Sequence, residues 1–199
     1  MTHRKLQSSL YIPKKDTEGP DHFELPCCFF DRFFSVEECD EVVQHCENTR
    51  LDEGKTFGAN DHRRSDIGWL YEGAKPTLFS RVMDSAFNSN YWGYDIYGFS
   101  DPAQYTTYDS SKYGESFYNS HKDTGPGYYH RKLSMVVLLS DPSEFEGGDF
   151  SLEYANHKQY FKNKGDAILF PSILHHGVSP VYNGIRRSLV FWISGPKLR

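Results

Sequence analysis

The sequence lacks an apolar run of the roughly 20 residues that a membrane-spanning helix requires. It also lacks a signal-peptide pattern, so a cytoplasmic location is expected. No block of basic residues is present. The longest clusters, Arg63-Arg64 and Arg186-Arg187, are pairs. With a formal net charge of -5, that scarcity argues against a nucleic-acid-binding surface. The four cysteines, Cys27, Cys28, Cys39 and Cys46, show no CxxC spacing. They read as reduced thiols, with Cys27-Cys28 a buried strand pair. Internal repeats, low-complexity tracts and a linker strong enough to split the chain are also missing. One domain over residues 25–199 is therefore expected, behind a polar arm over 1–24.

What the chain does have is aromatic residues, 16% of the total, with 14 Tyr and 15 Phe. That composition suits strands and a polar-lined pocket better than a helical bundle. A short apolar run over 27–30 reads as a strand. Ser35-Val36-Glu37-Glu38 forms a capping box, and the helix behind it places Val36, Cys39, Val42, Val43 and Cys46 on one face. Residues 64–71 read as a strand with Ile67 and Trp69 on one face. A second helix opens at Pro76, with Leu78, Phe79, Val82, Met83, Ala86 and Phe87 as its apolar stripe. Beyond Asn90 the pattern changes. Short strands are expected over 94–97, 104–108, 116–121, 132–139, 149–152, 159–161, 167–170, 174–178 and 188–193. Turn formers such as Gly147-Gly148 and Asn183-Gly184 separate them. Two helices packed on a β-sandwich or barrel follow from that pattern.

Inside the β-rich half, His121 and Asp123 sit two apart, a spacing that puts both on one face of a strand. His22-Phe23-Glu24 and His45-Cys46-Glu47 share the spacing, so the pair alone decides nothing. A further ligand is available from His175 or His176, of which strand alternation lets one face inward. Arg186 or its neighbour Arg187 offers a cation further on, with Ser188 and Trp192 on the parity of Arg186. Two neutral imidazoles and a carboxylate suit non-heme Fe(II) and leave coordination positions open. An arginine fork pairs bidentately with a carboxylate that would be costly to bury alone.

The ordered set Tyr118, His121, Asp123, His176, Pro180 and Arg186 resembles the iron(II)- and 2-oxoglutarate-dependent dioxygenases of the prolyl-4-hydroxylase-like group, including the PKHD-type hydroxylases. The Gly147-Gly148-Asp149-Phe150 turn and the Phe191-Trp192-Ile193 ending resemble that group too. The likeness spans about residues 90–195. It implies an all-β core with flanking helices: a double-stranded β-helix (jelly roll, cupin-like) over 90–195, with two N-terminal helices over 35–90 packed on it. It implies that His121, Asp123 and His176 hold Fe(II). Arg186 would hold the far carboxylate of 2-oxoglutarate, assisted by Ser188 and by Tyr108, for which Tyr113 competes. The ten-residue spacing from His176 favours His176 with Arg186 over His175 with Arg187. Tyr118, Trp192 and Arg64 would approach the substrate.

The activity so implied couples oxidative decarboxylation of 2-oxoglutarate by O2 to hydroxylation of a C–H bond, with ascorbate as a supporting reductant. A prolyl residue of a peptide or protein is the substrate that the resemblance implies, and a free amino acid or other small molecule is the alternative. A jelly roll that binds a metal or ligand without turnover would be marked by a lost ligand, and none is lost. Nucleic-acid-repairing relatives carry a second arginine six residues after the first, where this chain has Trp192. No nucleic-acid or membrane partner is expected, and the sequence leaves the oligomeric state open. The loop Thr124-Gly125-Pro126-Gly127-Tyr128-Tyr129 is expected to act as a lid with glycine hinges.

Overall fold

The structure, a computed structural model, describes residues 26–54, 62–155 and 161–197. The arm expected over 1–24, most of the loop over 51–60, and residues 159 and 160 of an expected strand lie outside them. Strand β1 (Cys28–Phe30) leads into helix α1 (Val36–Glu47). Ser35 caps α1 reciprocally: its hydroxyl accepts the Glu38 N–H, and the Glu38 carboxylate accepts the Ser35 N–H. Strands β2 (Asp52–Glu53), β3 (Arg63–Arg64) and β4 (Asp66–Leu70) precede helix α2 (Pro76–Asn88). Next come β5 (Gly98–Phe99), β6 (Ala103–Asp109), the single turn α3 (Ser110–Tyr113), β7 (Ser116–His121) and β8 (Arg131–Leu138). The described chain finishes with β9 (Phe145–Gly147), β10 (Phe150–Leu152), β11 (Ala167–Pro171) and the long β12 (His176–Ser194).

Strand β12 organises the rest. Its first half pairs with β7 on one side and with β9 and β10 on the other. Its second half pairs with β6 and β8, continuing a sheet of order β1-β11-β8-β12-β6-β4-β2. Every strand pairing among the described residues is antiparallel. The strands expected over 174–178 and 188–193 are thus one strand, and Asn183-Gly184 is not a hairpin turn. Pairing with β9 at Asn183 and Gly184, and with β6 from Ile185, continues the strand through that dipeptide. Gly184 takes a φ of +76°, and a Cβ there would clash with the Glu144 carbonyl. A second segment switches sheets in the same way: β3 pairs with β7, while β4, past the buried Ser65, pairs with β6. The strand expected over 94–97 has no ladder. Its Tyr97 N–H reaches the Ser194 carbonyl, and pairing begins at β5.

Alternation along the central strands sorts their side chains between two cores. Leu133, Met135 and Val137 of β8 and Leu189, Phe191 and Ile193 of β12 face the helices. There they meet Cys39, Val42 and Cys46 of α1 and Leu78, Phe79, Val82 and Ala86 of α2. Val36 and Phe87, expected in those apolar stripes, are exposed at the stripe edges. The opposite parity, with Val136, Ile168, Phe170 and Tyr108, faces β7 and β10 across the barrel interior. This is the all-β core with flanking helices that the sequence implied. Burial raises the thiols of Cys27, Cys39 and Cys46 to about 12 and that of Cys28 to about 11, so they remain protonated and unreactive. No helix among the described residues is long and apolar enough to cross a membrane.

Candidate metal centre

Strand β7 and the start of β12 pair so that His121 stands directly opposite His176. Gly177 allows that approach, because a Cβ there would meet the Tyr118 carbonyl at 2.9 Å. His121 is the last residue of β7, and Asp123 lies beyond the strand. The pair therefore does not share a strand face as the spacing suggested. It converges because the chain turns about the Ser172 carbonyl, which accepts the Asp123 and Thr124 N–H groups at 3.0 and 3.3 Å.

The three side chains meet in a buried cluster. His121 Nε2 lies 3.7 Å from Asp123 Oδ1, and His176 Nε2 lies 3.3 Å from Asp123 Oδ2. Both imidazoles turn Nε2 inward for the same reason. Each Nδ1–H donates to the main-chain carbonyl two residues earlier, Asn119 at 2.9 Å and Leu174 at 3.1 Å. A carbonyl can only accept, so the tautomer is set and Nε2 is left with its lone pair. Asp123 Oδ2 also accepts the Ser134 hydroxyl at 2.7 Å, which contacts the Ser172 hydroxyl at 2.9 Å. Tyr118 stacks on His121 with ring centroids 3.5 Å apart, and Phe170 packs on the edge of His176.

Electrostatics couples the three. Burial, reinforced by the charge of His176, lowers His121 to about 3. Burial opposes ionisation of Asp123, yet His176, His121 and the Ser134 hydroxyl together hold its carboxyl well below the usual range. Burial also opposes protonation of His176, and the Asp123 carboxylate overrides it. The cluster thus holds a carboxylate beside two imidazoles in a dry place, and a cation between them would meet that charge. His175, the alternative ligand, faces outward, its Nδ1 3.2 Å from Glu153 Oε2.

The cluster opens on a cavity whose further wall is the β6–β12 ladder. Arg186, Ser188 and Val190 stand opposite Tyr108, Thr106 and Gln104, and all six line the cavity. Arg186 is 1% exposed, and neither of its terminal nitrogens has a hydrogen-bond partner among the described residues. Its guanidinium sits 5.5 Å from the Tyr108 ring and 5.6 Å from the Phe161 ring. Burial pulls its pKa down, opposed by Tyr108 and Asp149. Arg187, on the opposite parity, points to the helices and donates to Glu47 Oε1. Tyr113 also points away, its hydroxyl donating to Asp66 at 2.8 Å. Between Tyr108 and Tyr118 the chain makes the α3 turn, which carries Tyr113 away from the site. Gly148 makes room for Arg186: its φ is +67°, and a Cβ would meet Arg186 Cδ at 2.8 Å. Gly148→Ala is expected to displace that arginine and to destabilise the fold by about 1–3 kcal/mol, read from thermal melts.

A cavity built this way, with two imidazoles and a carboxylate at one end and a bare guanidinium at the other, fits iron(II) and a dicarboxylate. The family model of the 2OG-Fe(II) oxygenase superfamily matches residues 104–194, which span β6 to β12 and hold every residue of that arrangement. Over that span the chain is similar to this superfamily. A PKHD-type hydroxylase of Thermosynechococcus vestitus is 28% identical over 169 residues, 82% of this chain and 75% of the relative. A PKHD-type hydroxylase of Colwellia psychrerythraea is 37% identical over 62 residues, 31% of this chain and 28% of that relative. The crystal structure of a Pseudomonas putida prolyl-4-hydroxylase superposes with a TM-score of 0.67 at 19% identity, covering 86% of this chain and 93% of that one. Its likeness is one of fold, the double-stranded β-helix.

The structure departs from the sequence reading on the wall near Tyr118. The arginine that lines the cavity is Arg63, whereas Arg64 lies against Phe117. Adjacent strand residues point to opposite faces, and β3 pairs Arg63, not Arg64, with Tyr118. Gln104 and Thr106 were not singled out from sequence either, although they share the parity of Tyr108 in the same expected strand. Ser134 had no sequence signal at all. Trp192 lines the cavity, is 4% exposed, and carries the Arg131 guanidinium 3.6 Å over its ring. Arg131 also lies 4.1 Å from the ring of Tyr128, which anchors the glycine loop expected to be a lid.

Proposed function

We propose that this oxygenase is a 2-oxoglutarate-dependent hydroxylase that acts on a prolyl residue of a peptide or protein, with a free amino acid or other small molecule as the alternative substrate. The observation that carries the hydroxylase reading is the buried, unpartnered guanidinium of Arg186 in the cavity of the His121–Asp123–His176 cluster. A fixed buried cation there suits a bound dicarboxylate, and no described side chain satisfies it. The prolyl part is supported by the names of the PKHD-type relatives and of the Pseudomonas putida neighbour.

When bound, Fe(II) and 2-oxoglutarate supply the oxidising chemistry: O2 gives one atom to 2-oxoglutarate, which leaves as succinate and CO2, and one to a substrate C–H bond. The chain supplies placement. His121, Asp123 and His176, whose donor atoms lie within 4.8 Å of one another, would hold the metal. Ser134 and the two carbonyl-held imidazoles fix those donors in angle. Arg186 takes the far carboxylate of 2-oxoglutarate, with Ser188 and Tyr108 on neighbouring positions of the same ladder. Tyr118 and Trp192 wall the substrate side and keep water out.

The test is succinate formation from 2-oxoglutarate with Fe(II), ascorbate and O2, across a panel of prolyl peptides and free amino acids. Uncoupled turnover without substrate, raised by at least one member of the panel, is expected. No 2-oxoglutarate consumption, together with no visible charge-transfer absorption on anaerobic mixing with Fe(II) and 2-oxoglutarate, sinks the reading in favour of a binding jelly roll.

A further inference from the structure

The inner face of β6 is unusually polar. Gln104, Thr106 and Tyr108 alternate along it and all line the cavity. The first two aim their oxygens at one cation: Arg63 Nη2 donates to Gln104 Oε1 at 3.1 Å and to Thr106 Oγ1 at 3.2 Å. Arg63 Nε donates to Ser65 Oγ at 2.6 Å, and the guanidinium lies 4.4 Å from the Tyr118 ring that in turn covers His121. The fork is thus held from several sides beside the metal cluster, and among the described residues the groups holding it, Ser65, Gln104, Thr106 and Tyr118, are neutral.

Register separates this cation from Arg186. Arg186 stands at the Tyr108 position of the ladder, whereas Arg63 grips the Thr106 and Gln104 positions, further toward Trp192. Two residues of strand span about 7 Å, so the two guanidiniums serve different parts of the cavity. Charge separates them too. Fe(II) and Arg186 together balance Asp123 and the two carboxylates of 2-oxoglutarate, and Arg63 is left over. A half-buried guanidinium held among neutral groups leaves its charge available to an anion in the cavity. Trp192 adds a free donor: its buried Nε1 has no hydrogen-bond partner among the described residues.

We propose that Arg63 is the substrate's anchor, and that the substrate carries a carboxylate a few bonds from the carbon that is hydroxylated. The proposal rests on the hydroxylase reading and narrows it. A free amino acid, another small carboxylic acid or the C-terminal residue of a peptide fits the cavity better than a neutral residue inside a chain. Gln104 and Thr106 hold the fork in place, which makes them positioning residues for that recognition.

Matched probes test this: L-proline against L-prolinamide, L-leucine against L-leucinamide, and prolyl tripeptides ending in a carboxylate against the same peptides ending in a carboxamide. Each is assayed for stimulation of succinate formation by the Fe(II)-loaded protein. The acid is expected to exceed its amide in kcat/KM by about tenfold or more, the effect of one well-placed charge pair. In Arg63→Gln that ratio should fall toward one, and in Arg63→Lys part of it should remain. The ratio compares two probes on one protein, so a general loss of folding or metal cancels from it. No acid exceeding its amide, silence of the whole panel included, overturns the proposal. So does an Arg63→Gln protein that keeps the ratio and instead raises the KM for 2-oxoglutarate, because Arg63 would then serve the cosubstrate. Wild-type protein that consumes no 2-oxoglutarate overturns the hydroxylase reading, and this proposal with it.

Discussion

A His176→Ala protein is expected to show no 2-oxoglutarate turnover and no charge-transfer absorption with Fe(II) and 2-oxoglutarate, while His175→Ala keeps both. The two histidines are neighbours in sequence and opposites in structure. His176 is 5% exposed, turns Nε2 to within 3.3 Å of Asp123, and has its tautomer set by the Leu174 carbonyl. The His175 side chain is 48% exposed and spends its Nδ1 on Glu153. Removing His176 takes one of the three donors and does a second thing as well. It leaves the Asp123 carboxylate buried without the group that balances it, and breaking a buried pair from one side costs about 3–5 kcal/mol. His176→Gln separates the two effects. It restores bulk and a polar contact to Asp123, so it should melt closer to wild type than His176→Ala, yet still show no charge-transfer band. Wild-type absorption in His176→Ala, or its loss in His175→Ala, would reverse the ligand assignment.

That contrast shows where the sequence was legible. The parity of β12 was readable, because Arg186, Ser188 and Trp192 share one face whichever residues they pair with, and the inward set includes His176. The capping box and Pro76 marked both helices, since these signals are local. What could not be read were features set by partners distant in sequence. The Asn183-Gly184 dipeptide has the composition of a hairpin turn, but pairing with β9 there and with β6 from Ile185 continues it as one strand. His121 and Asp123 were expected to share a strand face, whereas the main-chain bond to Ser172, nearly fifty residues on, brings them together. The choice between Arg63 and Arg64 depended on which of two adjacent residues pairs with Tyr118, and periodicity is silent on register. Tyr108 and Tyr113 were separated by a four-residue helix too short to leave a pattern.

Arg186→Met is expected to move stability and activity in opposite directions. In the protein without cosubstrate the guanidinium is a buried cation whose terminal nitrogens meet no acceptor, in a setting of Tyr108, Phe161 and Val181. Replacing buried ionic groups by apolar ones of similar volume is neutral or stabilising by about 1–4 kcal/mol, so the variant should melt at or above wild type. With 2-oxoglutarate present the sign reverses. Losing one partner of a buried charge pair costs about 2–5 kcal/mol, which raises the KM for 2-oxoglutarate by about 30- to 4,000-fold. Arg186→Lys should fall between them, because an ammonium keeps the charge and loses the planar fork. The decisive experiment is a pair of melting curves under anaerobic Fe(II), without and with 2-oxoglutarate. Saturating ligand at 100 times Kd adds about 2.7 kcal/mol to wild type and less than about 1 kcal/mol to Arg186→Met, so the melting temperature of wild type rises by more and the order inverts unless the variant starts more than about 2 kcal/mol ahead. If the order stays the same and 2-oxoglutarate stabilises both proteins equally, Arg186 does not hold the cosubstrate. The arginine would then be a structural cost that the fold carries for some other ligand. If the order inverts, the instability of the unliganded cavity is itself part of the function: the site is held open at a cost to the fold, and the cosubstrate's carboxylate removes it.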